Sequence, residues 1–100
     1  MAKEEEVNRA RVFILGTEYT LRGNASVAHL RQVADKVDAV MEQVAKANPQ
    51  LESRRVAVLA AINLADELIR LQNEYQELLE LLEEQTAAAT RESEHPGRNS

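Results

Sequence analysis

Asp66 and Glu67 stand side by side, His29 and His95 are the two histidines, and Ser26 and Ser53 are hydroxyls set just ahead of helical patterns. Neighbouring carboxylates suggest acid–base work, a histidine suggests a metal ligand or proton carrier, and a serine suggests a nucleophile. None of them finds the company its chemistry needs. Asp66 and Glu67 fall where two differently patterned halves of a helix meet, and a boundary charge or an ion pair between helices is the simpler reading. His29 has no ligand-type residue four positions away, the spacing of a helical metal site, and reads as a surface or interface histidine. His95 lies in a segment without periodicity. Ser26 and Ser53 each have a helix to cap. Gly16, Gly23 and Gly97 form no phosphate-cradling loop. With no cysteine, disulfides, thiol catalysis and Cys-ligated zinc are excluded. The sequence offers no catalytic residue, no cofactor-binding residue and no metal site, and a small enzyme is set aside.

Two polar features remain. Asn63 is the one polar residue between Val56 and Ala65. A lone buried amide can bond across a helix pair and fix its register. Arg54 and Arg55 stand at the start of the same helix, where cations oppose the dipole. Together with Arg22, Arg31 and Lys36 they form either a basic patch for an acidic protein partner or scattered surface charge.

The elements that position these residues follow from patterning. Val12-Phe13-Ile14-Leu15 is a short apolar strand and Glu18 to Arg22 alternates polar and apolar. Gly16-Thr17, glycine first, predicts a type II′ turn. Leu15 then faces Glu18, Ile14 faces Tyr19 and Val12 faces Leu21, while Phe13 and Leu15 project from a second greasy face that a second subunit would cover. A two-stranded hairpin is barely stable alone. The hairpin spans 7–22. Ser26 caps a helix over 26–47, whose stripe of Val27, Leu30, Ala34, Val37, Met41 and Val44, widened by Val33 and Val40, faces a core. Asn48-Pro49 ends it.

A second helix follows, capped either by Asn48 with Pro49 first or by Ser53 after a turn at 49–52, the second being preferred. No Gly or Pro interrupts the chain before Pro96, so the helix runs over about 54–86. Its first half is apolar all round and must be surrounded, for which another copy of the chain is the natural neighbour. In its second half Leu64, Leu68, Leu71, Tyr75, Leu78 and Leu82 alternate at four- and three-residue steps, a heptad seam flanked by Glu67 and Glu74. Leu79 and Leu81 add apolar surface that a plain dimer would leave wet and four meeting helices would cover. Residues 1–6 read as a disordered acidic lead and 87–100 as a disordered tail. The head is thus 7–53, joined by the first half of the long helix. The fold class is α+β: hairpin and helix, then one long helix forming an intersubunit coiled coil.

The totals agree. One hundred residues allow one small domain of marginal stability alone, and three aromatics, Phe13, Tyr19 and Tyr75, favour helix and coil over a sandwich. A net charge of -5 argues against nucleic acid. No apolar signal follows a basic start, and the longest apolar run is about half the ~20 residues of a membrane span. A cytoplasmic protein without a membrane partner is expected.

Val12-Phe13-Ile14-Leu15-Gly16 with Tyr19-Thr20-Leu21, followed by Val56-Ala57-Val58-Leu59-Ala60-Ala61-Ile62-Asn63, closely resembles the bacterial cell-division family ZapA over roughly residues 10–85. The resemblance implies a cytoplasmic, non-enzymatic protein of the mid-cell division ring. Such a protein binds the tubulin-like GTPase FtsZ and crosslinks its filaments. It implies a homodimer formed through the head and a homotetramer formed through antiparallel coils. Phe13, Leu15, Asn63, Leu64, Leu68, Leu71, Tyr75, Leu78, Leu79 and Leu82 would then line oligomer interfaces. The family's FtsZ-contacting region maps onto Thr17, Arg54 and Leu59, with Arg55 beside them. Some relatives carry Arg and Glu where this chain has Thr17 and Arg54. A coiled-coil adaptor for another cytosolic protein is the alternative.

Overall fold

The computed structural model describes residues 7–93; the predicted lead at 1–6 and the end of the predicted tail lie outside them. The element order is β1 (Asn8–Ile14), β2 (Thr17–Gly23), α1 (Val27–Ala47) and α2 (Ser53–Ser93). It is an α+β chain in two compact units that divide between Leu64 and Ala65. The first is called the head below and the second the coil segment.

In the head, β1 and β2 form an antiparallel hairpin. The register is Ile14 to Thr17, Val12 to Tyr19 and Ala10 to Leu21. The turn residues are therefore Leu15 and Gly16, not Gly16 and Thr17. Both have positive φ, 50° and 80°, which makes the turn type I′ rather than II′. A leucine in the left-handed region costs about 1–2 kcal/mol. Two contacts outside the hairpin offset it: the Leu15 N–H donates to Asp38 Oδ1 at 2.8 Å, and the Leu15 side chain packs on the head core. Leu15 is thereby taken from the outer face, where the sequence reading placed it with Phe13. The register moves by two residues, so the inner face keeps Val12, Ile14, Tyr19 and Leu21.

Ser26 caps α1 as expected, its Oγ accepting from the His29 N–H at 3.0 Å. The helix runs along the hairpin from its open end toward its turn. Leu30 lies near Gly23; Ala34 is buried with Ala10 and Val12; Asp38 meets Leu15; Met41 and Val44 join Val56 and Ala60. Alanines at 10 and 34 let helix and strand approach closely. The helix lies chiefly over β1, which leaves Tyr19 on β2 49 % exposed although it points to the inner face. Asn48 closes α1: its N–H and its Nδ2 both donate to the Val44 carbonyl, at 2.9 and 3.0 Å.

A tight turn follows, with the Leu51 N–H on the Asn48 carbonyl at 3.0 Å. The first α2 bond runs from the Val56 N–H to the Glu52 carbonyl. Glu52 is thus the residue at the cap, and Ser53 is the first helical residue instead of the cap. The helix continues to Ser93, beyond the expected end at 86. The added residues begin Ala87-Ala88-Ala89, which carry no apolar stripe but have the highest helix propensity of any residue type.

Candidate self-association and partner surfaces

The head's core is small. Among the described residues, the buried apolar side chains are Ala10, Val12, Ala34, Met41, Val44, Val56 and Ala60, three of them alanine. Of the stretch expected to be apolar all round, a single chain buries only Val56 and Ala60. Val58 and Ile62 stay more than half exposed and Leu59 37 % exposed. The helix turns two sides to solvent that its composition suits to an interior.

Asn63 is exposed on a flank of α2, where it borders a groove with Gln43, Val44, Ala47, Asn48 and Leu59. Among the described residues no hydrogen bond or ion pair occupies its amide. Leu64, partly buried, lines a second groove with His29, Val33 and Val37. Phe13 lies on the outer face of the hairpin, opposite Glu18 and 62 % exposed.

Thr17 begins β2, directly after the turn. Leu15 in that turn and Val56 in the first turn of α2 belong to one packed cluster. The structure thus brings the turn and the start of α2, with Arg54, Arg55 and Leu59, to the same end of the head. Arg22 and Arg31 do not join them. Arg22 faces Arg9 near the open end of the hairpin, about 16 Å along the strand from Thr17. Arg31 is tied to the middle of β1, its Nη1 donating to the Arg11 carbonyl at 3.0 Å. The single basic patch considered from sequence is two groups, because the open end of the hairpin and the start of α2 meet α1 roughly 20 Å apart.

The sequence reading missed a charge contrast that the unit boundary makes plain. Residues 7–64 carry eight Lys and Arg against five Asp and Glu. Residues 65–93 carry two cations, Arg70 and Arg91, against eight anions, and Arg70 is paired with Asp66 at 2.9 Å. The coil segment, taken by itself, is a helix whose Leu68, Leu71, Tyr75, Leu78 and Leu82 are each about half exposed or more; Leu79 is partly covered. Among the described residues no group of three or more His, Cys, Asp or Glu could hold a metal, and no helix is long and apolar enough to cross a membrane.

A family model described as "Cell division protein ZapA" matches residues 11–93. This chain belongs to the ZapA family. The ZapA of Geobacillus sp. (strain WCH70) is 40% identical over 79 residues, which cover 79% of this chain and 91% of that one. The ZapA of Shouchella clausii (strain KSM-K16) is 38% identical over 76 residues, covering 76% and 97%. Among solved structures, a ZapA mutant dimer from Geobacillus stearothermophilus superposes with a TM-score of 0.62 at 40% identity, covering 78% of this chain and 91% of that chain. Members of the ZapA family are cell-division proteins, and a role in cell division follows for this chain.

Proposed function

We propose that this chain is a non-enzymatic bridge of the division ring. Its heads pair into a homodimer. Its coil segments join two such pairs into a homotetramer, and the tetramer crosslinks FtsZ filaments in the cytoplasm at mid-cell. The observation that carries this reading is the exposed heptad seam, Leu68, Leu71, Tyr75, Leu78 and Leu82, each about half exposed or more among the described residues. An isolated helix is marginal in water, and exposed apolar area of this extent marks an interaction site. The exposed Phe13 and Ile62, the half-buried Leu64 and the Asn63 amide, which has no bond among the described residues, support pairing of the heads. That the solved ZapA relative is described as a dimer supports it further.

Thr17, Arg54, Arg55 and Leu59 gather at one end of the head and form the filament-facing surface. A tetramer presents several such surfaces, and weak contacts multiplied in this way give avidity. Two measurements test the proposal on the full chain: sedimentation equilibrium across concentrations, and co-sedimentation with GTP-assembled FtsZ. Dimers passing to tetramers, with the protein in the filament pellet, are expected. Oligomers that never enter the pellet would replace this reading with that of an adaptor for a different cytosolic partner.

A further inference from the structure

We propose that Glu74 is a charge gate on the joining of coil segments. Two copies meet antiparallel, each Glu74 faces its own counterpart beside the seam, and the join stays weak until dissolved salt screens the pair. The gate presupposes the coil joining proposed above and adds what regulates it. With Leu68, Tyr75 and Leu82 at the a positions of the heptad and Leu71 and Leu78 at d, the seam is flanked by Ala65, Gln72, Leu79 and Thr86 at e and by Glu67, Glu74 and Leu81 at g. Coiled coils place at e and g the opposite charges that select a partner. Here neither position holds a cation. Arg70 falls at c, away from the seam, and is drawn to Asp66 at 2.9 Å.

The same residues choose the direction of pairing. Two parallel coil segments would set every anion of 65–93, eight against two cations, level with its own copy. They would also stack Tyr75 on Tyr75. An antiparallel pair centred on Asn73 sets Leu68 against the partner's Leu78 and Leu71 against the partner's Tyr75, so each seam position meets a different apolar one. Contacts about such a two-fold axis are reciprocal, and only residues beside the axis meet themselves. On one flank e faces e, and Gln72 meets Gln72 without charge. On the other g faces g: Glu67 comes beside the partner's Leu81, and Glu74, one residue from the axis, comes beside its own copy. Glu74 is exposed in the single chain, so its charge is fully hydrated until pairing brings the second one near. Paired helix axes lie about 8–10 Å apart, close to the Debye length of about 10 Å at 0.1 M salt and well inside the roughly 30 Å at 0.01 M. Burial of the apolar seam needs no such screening. Joining therefore tightens as salt rises, the reverse of a coil held by ion pairs.

The test is sedimentation equilibrium of the full chain at about 0.05 and about 0.5 M KCl, which spans the loss of screening length, reading the dimer-to-tetramer constant. One exposed like-charged pair weakens association by about threefold, and each of the two coil joins in a tetramer holds one, so wild type should associate about tenfold more tightly at the higher salt. Glu74→Gln should associate about tenfold more tightly than wild type at low salt and respond little to KCl. Glu80→Gln removes the same charge from f, the side facing away from the seam, and should stay within about twofold of wild type. Glu74→Lys mixed with wild type sets Lys beside Glu, and the mixture should associate more tightly than either protein alone, since each alone sets like beside like. Circular dichroism confirms that each variant keeps its helix. The gate is overturned if salt leaves wild-type association unchanged or weakens it, or if Glu80→Gln tightens as much as Glu74→Gln, which would make net charge the cause. A mixture no tighter than its tighter parent overturns the facing of Glu74 on itself. A wild-type chain that never passes beyond dimers at either salt sinks the coil joining itself, a result read from wild type alone and distinct from the others.

Discussion

Asp38 and Leu15 show how a single contact selects a turn. The Leu15 N–H on Asp38 Oδ1 joins residues 23 positions apart, and hydrogen bonds to carboxylates contribute about 1.5–3 kcal/mol. Asp38→Ala should therefore lower the stability of the head by roughly 2 kcal/mol, seen as a fall in melting temperature by circular dichroism at one fixed protein concentration, since association also shifts the midpoint. An unchanged midpoint would show that the bond contributes nothing net. Gly16 has open space around a would-be Cβ, but its φ is +80°. Gly16→Val should thus cost about 1–2 kcal/mol through the backbone alone; a substitution without effect on thermal unfolding would contradict that account. The same two residues explain why the turn was placed one position late from sequence. Glycine-first chemistry favours Gly16-Thr17, and nothing local makes a left-handed leucine acceptable. The compensation comes from Asp38 on another element, beyond the reach of turn propensities.

At the scale of elements, α1 was legible because Ser26, the three- and four-residue apolar steps and Asn48-Pro49 all point to the same span. The start of α2 was legible to within one residue. Its end was not, because 87–90 lack the apolar stripe by which the end was judged, while their alanines carry helix propensity that needs no stripe. The apolar run at Val56–Ala65 was read as surrounded; one chain supplies only one of its walls, through Met41 and Val44. Asn63 belongs to this scale, since its amide lacks a partner among the described residues. Asn63→Leu should tighten self-association and at the same time broaden it into a mixture of species, because a polar residue at an interface trades stability for register. Sedimentation velocity would register the change, and a single sharper species would remove the register role from Asn63. The candidate partner residues were legible as types and positions. Their grouping was not: only the course of α1 along the hairpin separates Arg22 and Arg31 from Arg54 and Arg55.

For the whole molecule, the proposed bridge gives the two units separable tasks, which can be broken separately. Leu71 and Leu78 lie in the coil segment, more than half exposed and outside the head's buried core. Leu71→Glu with Leu78→Glu should leave the head folded and binding filaments as a dimer, while bundling, read by light scattering or electron microscopy, is lost. Bundling that persists in a confirmed dimer would remove the coil from the mechanism. A further consequence concerns time. Every residue that builds the head lies at or before Leu64, so a ribosome, working from the N-terminus at roughly 5–20 residues per second, completes the head's sequence seconds before the last of the coil.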